Sequence, residues 1–232
     1  VCLALAADHL ISYDAAFEKA VAQTAEQAQE GNPVVFGIRP IGPETGYGYL
    51  EVAAAGDVPQ PLRSFVEKPD RVTAETYIAE GRYYWNSGMF CFTAGVMAQN
   101  MAAHAGDVWA ASEAAFAEAQ ENAGVMRFEE GSFIAQPNIS IDYAVMENAE
   151  KIVMVPAALG WSDVGSWRAV ADAHEADQHG NSAVGVDKAL FIGAGNTHIE
   201  ITSHTKKAIA AVGTQDLVIV DTPDALLVAD RS

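Results

Sequence analysis

An unbroken apolar run of seven residues, Val1 to Ala7, ends abruptly at Asp8-His9, and a second run, Val34 to Ile38, follows after a stretch of helical periodicity. No other feature constrains the fold as much. A continuous apolar run suits a strand buried on both faces, with its carboxyl end opening on a site. Between the runs, Asp14 is placed to cap a helix, Phe17, Ala20, Val21, Ala25 and Ala28 fall on one stripe, and Gly31 supplies the stop. Strand, helix and strand in that order predict a right-handed crossover and a parallel sheet.

Further along, Thr45 to Tyr49 reads as a glycine-punctuated turn into a strand, Asp57 to Pro61 as a loop, and Phe65-Val66 as a strand. Thr73 is placed to cap a helix running through Ile78. Tyr83 to Phe92 alternates aromatic with small residues, a strand pattern. Alanine-rich helices are expected near Gly95 to Ala103 and Val108 to Glu121, then a helix from Asp142 to Ala149, a strand from Ile152 to Val155, and a helix capped by Ser166 that carries Trp167 and Val170. From Gly180 the texture changes to short apolar runs punctuated by Gly, Asn, Asp and Pro, so residues 1–179 read as an α/β core and residues 180–232 as an all-strand appendage.

Half of the 232 residues are apolar, enough for a sizeable core. The 31 acidic residues outweigh 13 basic ones, giving a formal charge of -18. That balance argues against free nucleic acid as a partner and suits either a solvated acidic surface or a protein that meets anionic substrates through a divalent metal. Cys2 and Cys91 lie in apolar runs and read as buried thiols rather than a bridge, which fits a reducing, cytoplasmic setting. The histidines show no zinc spacing, since His174 and His179 lie five apart with no cysteine pair nearby. No apolar segment approaches the length of a membrane span, and the first residues lack the basic start of a signal peptide.

Three stretches carry candidate chemistry. Gly160-Trp161-Ser162-Asp163-Val164-Gly165-Ser166-Trp167 holds one carboxylate between two glycines and two indoles, and Asp163 reads either as a metal ligand or as a cap for Ser166-Trp167. Asp8 is either a helix-start acid or a second ligand. Phe65-Val66-Glu67-Lys68-Pro69 ends an apolar run on a charge pair, and Trp85-Asn86-Ser87-Gly88-Met89-Phe90 interrupts an aromatic strand with polar tips. Gly46 and Gly48 permit either close backbone approach to a ligand or a turn with positive φ. Tyr47 either stacks on a ligand or packs. Asp142 reads as a helix cap first and a site residue second. Gly193-Ala194-Gly195-Asn196 is a turn rather than a phosphate cradle, because no helix follows it.

With Ala6-Ala7-Asp8-His9, Thr45-Gly46-Tyr47-Gly48-Tyr49 and Ile139 to Glu147, these stretches resemble the sugar-phosphate nucleotidyltransferases, most closely the mannose-1-phosphate guanylyltransferase (GDP-mannose pyrophosphorylase) family, nearly end to end. The resemblance implies a Rossmann-like sheet, mixed but mostly parallel, flanked by helices and followed by a small β-roll or β-helix. It implies transfer of GMP from GTP to mannose 1-phosphate with release of pyrophosphate, dependent on Mg2+ held by Asp8 and Asp163. Lys68 is expected to act with those two acids in catalysis and to neutralise the sugar phosphate. Glu67 and Asn86 are expected to read sugar hydroxyls beside Gly46, Tyr47, Gly48 and Asp142. A cytoplasmic homo-oligomer, a dimer, with no nucleic-acid or membrane partner completes the expectation. Ala6-Ala7 stands where the family usually has a proline-containing version. The family opens with a glycine-rich loop carrying an arginine and a lysine, and none lies between Val1 and Ser232, so the core is expected to be N-terminally incomplete and not catalytic by itself. Two alternatives compete with this reading: a non-catalytic sugar-phosphate-binding module, or a nucleotidyltransferase for another nucleotide or hexose phosphate.

Overall fold

The computed structural model of the chain describes residues 1–203 and 207–231; Ser232, the expected end of the appendage, lies outside the described residues. The fold divides into two compact units, residues 1–7 with 11–161, and residues 8–10 with 162–232.

In the larger unit, β1 (Cys2–Ala4) and α1 (Asp14–Gln29) precede β2 (Val34–Ile38), β3 (Tyr49–Glu51), β4 (Gln60–Pro61) and β5 (Ser64–Val66). Next come α2 (Arg71–Glu80), β6 (Tyr83–Phe92), α3 (Ala94–His104) and α4 (Gly106–Ala117). A hairpin of β7 (Gln120–Asn122) and β8 (Val125–Arg127) leads through α5 (Glu130–Ile134) and a π-helical turn, Asp142–Met146, to β9 (Val153–Pro156). Seven strands form one sheet in the order β4-β9-β2-β6-β3-β5, with β1 also on β6. β2 is buried throughout, and its alternation sends Val34, Phe36 and Ile38 to a core shared with α1 and Val35 to a core shared with α3 and the π-turn. The sheet is therefore the middle of three layers.

β6 organises this sheet. It pairs antiparallel with β2 along nearly its whole length, while β3 takes Tyr83, Tyr84 and Trp85 and β1 takes Phe90, Cys91 and Phe92. The α/β class and the mixed sheet agree with the sequence reading, but the expected parallel majority does not: only β2·β9 is parallel here, because β6 runs between β1 and β2 and opposes both. Nor is β1 buried on both faces. Leu3 and Leu5 are exposed, and so is Cys2, whereas Cys91 is buried as expected; the thiols are unpaired. The helix starts also differ. Asp14 is the first residue of α1 and makes no capping bond, and α2 is capped by Asp70, whose carboxylate accepts from the Thr73 amide at 2.8 Å. Asp70 lies three residues before Thr73, the spacing a side-chain oxygen needs to reach the third helical amide.

The smaller unit starts with α6 (Trp167–Asp172), capped by Ser166 as its sequence suggests, with the hydroxyl accepting from the Ala169 amide at 3.2 Å. Six strands follow: β10 (Ser182–Val184), β11 (Lys188–Ile192), β12 (His198–Ile201), β13 (Ala208–Val212), β14 (Leu217–Asp221) and β15 (Leu226–Asp230). The chain revisits the same two ladders on successive passes, so that β10, β12 and β14 stack in parallel, as do β11 and β13; β15 closes the first ladder antiparallel. Ser182, His198 and Val218 occupy one register, the hallmark of a β-helical coil.

Gly185 turns the chain out of β10 at φ +69, and a Cβ there would lie 2.0 Å from the Ile201 carbonyl oxygen; Gly213, at φ +63, faces open space. Left-handed backbone alone costs a side chain about 1 kcal/mol. We therefore expect Gly213→Ala to lose about 1 kcal/mol and Gly185→Ala at least about 2 kcal/mol more, since backbone must yield. Equal losses in denaturant unfolding would show that the Ile201 carbonyl imposes no constraint.

Candidate functional site

The end of β5, the middle of β6 and the π-turn bring four predicted residues together in the larger unit. Asn86 donates from Nδ2 to Asp142 Oδ1 at 3.0 Å, its amide donates to the Gly48 carbonyl at 2.8 Å, and its own Oδ1 accepts from the Gly88 amide at 3.2 Å. The Asn86 side chain is thus fixed at both ends. Glu67 lies alongside, with its side chain only 8% exposed and Lys68 Nζ 3.5 Å from its Oε1. Its other oxygen, Oε2, is buried without any hydrogen-bond partner. Native folds rarely leave such an atom unmatched, and where they do, a bound group commonly completes it.

Gly48 explains how Glu67 fits. A Cβ at residue 48 would stand 2.5 Å from Glu67 Oε2 and 3.3 Å from Asn86 Cβ, so the missing side chain is the space the carboxylate occupies. Neither Gly46 nor Gly48 has positive φ, which removes the turn explanation for both, and a Cβ on Gly46 would meet nothing within 4 Å. Tyr47 packs: its ring meets Trp85 and Trp161 edge-on at 5.1 and 5.3 Å.

Asp142 is not a cap. It opens the π-turn without a side-chain capping bond and spends its carboxylate on Asn86. The turn also delivers a residue that spacing gave no role, Glu147, whose Oε1 accepts the Glu67 amide at 3.0 Å. The Glu147 amide donates to the Asp142 carbonyl at 2.9 Å, an i to i+5 bond that brings residues five apart onto one side, where α-helical spacing would separate them. Lys68 holds left-handed backbone at φ +46, a strained state for a residue with a side chain.

Three carboxylates are thus grouped, with Lys68 against one of them. Burial, followed by the charge of Asp142, pushes the Glu67 carboxyl above its ordinary range; burial also raises Asp142, with the Asn86 bond opposing it. Phosphate is repelled by such a cluster, but sugar hydroxyls are matched to it, donating to carboxylates and accepting from the asparagine amide. Lys68, the exposed cation at the rim, is the one group of the cluster suited to an anion.

Asp8 and Asp163 lie in the smaller unit. An antiparallel bridge joins Leu10 to Ser162, with amide-to-carbonyl bonds of 2.8 and 3.1 Å, and so draws the two acid-bearing segments side by side. Asp163 Oδ1 accepts from the Gly165 amide at 3.1 Å, and its Oδ2 occupies the room a Gly165 Cβ would need, 2.7 Å away. Val164 between them takes φ +51, costly for a β-branched residue. Asp163 does not cap α6, a task Ser166 performs, and Asp8 does not cap α1, which begins at Asp14 after Tyr13. Two carboxylates on adjoining segments are hard oxygen donors of the kind a divalent cation accepts.

A cavity of about 500 Å³ in the larger unit lies beside the ends of β2 and β9, lined among others by Lys19, Arg39, Asp57, Trp85 and Trp161. Sequence reading gave these residues no role.

Residues 1–180 match the nucleotidyl transferase family, and residues 195–232 match the mannose-phosphate isomerase/GMP-like β-helix domain. A putative mannose-1-phosphate guanylyltransferase of Vibrio cholerae is 41% identical over all of this chain and 49% of its own length. A mannose-1-phosphate guanylyltransferase of Escherichia coli K12 is 40% identical over 99% of this chain and 48% of its own. A crystal structure from Thermus thermophilus, described as a mannose-1-phosphate geranyltransferase, superposes with a TM-score of 0.83 at 32% identity, over 99% of this chain and 65% of that one. The chain thus spans about half the length of the curated relatives it matches. A sheet built around β6, a glycine-bounded acid loop and a β-helical coil matched separately to its own domain family all lead to one assignment: the chain belongs to the nucleotidyl transferase family.

Proposed function

We propose that the chain supplies sugar-phosphate recognition and metal-holding acids to a mannose-1-phosphate guanylyltransferase, which transfers GMP from GTP to mannose 1-phosphate and releases pyrophosphate. The observation that carries this reading is Glu67 Oε2, a buried acceptor with no partner beside a glycine, an asparagine and two further carboxylates. A hexose hydroxyl completes it. Glu67 and Asn86 orient the sugar, Asp142 and Glu147 hold those two residues in place, and Lys68 neutralises the sugar phosphate. Gly48 makes the room, and Gly46 and Tyr47 lead the chain into it, with Tyr47 packed on Trp85 and Trp161. Asp8 and Asp163 would hold Mg2+, which when bound offsets the negative charge of the reacting phosphates. We place the functional boundary at residue 180, where the family match ends. The reading takes a cytoplasmic homo-oligomer as the working form; the unpaired thiols are consistent with it, and no helix among the described residues is long and apolar enough to cross a membrane.

Isothermal calorimetry of the chain with mannose 1-phosphate tests the reading. Saturable binding lost in Glu67→Gln is expected; absence of binding would refute recognition here. Binding together with no pyrophosphate release, even from the full-length protein with GTP and Mg2+, would instead favour the non-catalytic module. Lys68→Ala removes a charged contact worth about 1.5–3 kcal/mol, so the mannose 1-phosphate Kd should rise roughly tenfold to a hundredfold while GTP affinity holds. Asp163→Asn in the full-length protein should cut Mg2+-dependent pyrophosphate release by at least about a hundredfold with an unchanged melting temperature.

The raised carboxyls also set a pH dependence. The folded chain keeps these protons to higher pH than the unfolded chain, so the associated stabilisation is complete below the ordinary carboxylate range and is lost as pH rises through the raised values. Glu67→Gln removes one titrating group. Its melting temperature should exceed that of the parent at neutral pH, with the gap closing toward pH 4; a gap that widens on acidification would reverse the assignment.

A further inference from the structure

The smaller unit holds a second constellation, apart from the residues assigned to nucleotidyl transfer above. His198 on β12 is fully buried, and its Nε2 lies 3.2 Å from Glu200 Oε2, two residues along the same strand. The ring of His174, just past the end of α6, lies parallel to the His198 ring, with centroids 5.5 Å apart and planes 6° from coplanar. One ligating atom from each of the three residues can be chosen so that all lie within 4.8 Å of one another. From these positions we infer a divalent transition-metal site of the zinc class formed by His174, His198 and Glu200, which ties the end of α6 to the first parallel ladder.

Donor chemistry selects the metal. Two imidazoles and one carboxylate are the set that zinc accepts at three corners of a tetrahedron, with water at the fourth, whereas magnesium prefers oxygen alone. Donors around zinc stand about 3.3 Å apart, given bonds of about 2.0–2.1 Å. His198 and Glu200 already meet that spacing, and the exposed His174 supplies the remaining movement. The outer contact is also in place. Ser182, the register partner of His198 on β10, has its Oγ 2.8 Å from His198 Nδ1. With metal on Nε2, the ring carries its proton on Nδ1 and donates to that hydroxyl, the arrangement that orients ligating histidines. Without metal, the same ring donates from Nε2 to Glu200 and accepts from Ser182. A shift of one proton between ring nitrogens and a turn of one hydroxyl separate the two states, so the buried imidazole stays neutral in both. Burial, the leading influence on His198, holds its pKa below the ordinary histidine value and favours that neutral form.

The ends of α6 and the coil are otherwise linked by Arg231, which donates to Asp172 at 2.7 Å and to the Gly180 carbonyl at 3.4 Å, and by contact of Ala171 with Val218 and Val220. A metal would add a third link on the His174 side.

Chelator-stripped chain titrated with Zn2+, followed by calorimetry and melting, tests the site, and Co2+ reports geometry through its visible absorption. Saturable Zn2+ binding that raises the melting temperature is expected, together with the intense visible band of tetrahedral Co2+. His174→Ala, at an exposed position that the fold tolerates, should weaken Zn2+ binding at least about tenfold. His179→Ala, a nearby histidine outside the cluster, and Asp163→Asn, in the separate acid loop, should leave it unchanged. Equal Zn2+ affinity in His174→Ala and the parent, or loss of binding in Asp163→Asn alone, would overturn the proposal, as would the absence of saturable binding.

Discussion

The larger unit depends on β6 being shared. One edge of a single strand of ten residues carries β2, and the other carries β3 and β1 in succession. The junction between these last two partners falls at Ser87 and Gly88, outside the registers of β3 and β1 and just after the Asn86 amide donates to the Gly48 carbonyl. Asn86 thereby keeps a buried backbone while its carboxamide reaches Asp142. The change of partner along one strand edge leaves a gap beside the cluster of Glu67, Asn86 and Asp142.

Burial then sets the energetics of that gap. Glu67 and Asp142 are carboxylates withdrawn from water, and each would be costly to ionise without a matched donor. The asparagine bond offsets part of the cost for Asp142, and Lys68 part of that for Glu67, but Glu67 Oε2 is left over. A ligand hydroxyl finds an acceptor that has already surrendered its hydration. Preorganisation of this kind lowers the stability of the empty fold and is returned on binding.

Much of this was legible in the residues themselves. Periodicity found β6 at its observed limits and the all-strand character of the appendage from residue 180 on, because period-2 alternation and turn residues act locally. Strand polarity escaped, since a helix between two apolar runs fits both a direct parallel pair and the observed pair separated by β6. Asp14 and Thr73 failed as caps because helix starts turn on one or two residues of backbone geometry. Glu67, Lys68, Asn86 and Asp142 converge as their stretches suggested. Glu147 lacked a visible signal because residues five apart share a side only in a π-turn, a state with no compositional mark of its own. His174 and His198 stand 24 positions apart and are brought together by the coil, so no spacing rule reaches them.

The π-turn carries a consequence for how this region can vary. Asp142 and Glu147, five apart, share one side because the backbone spiral holds one additional residue. Loss of a single position between them would restore ordinary winding with the two acids four apart and still on one side of the axis, but it would withdraw one of the buried residues Ala144, Val145 and Met146 from the core. Ala144, Val145 and Met146 inside the turn are core residues, so its side chains are as constrained as its length. Insertions and deletions, usually the gentlest edits in a connecting stretch, would here displace the two acids and the apolar layer together.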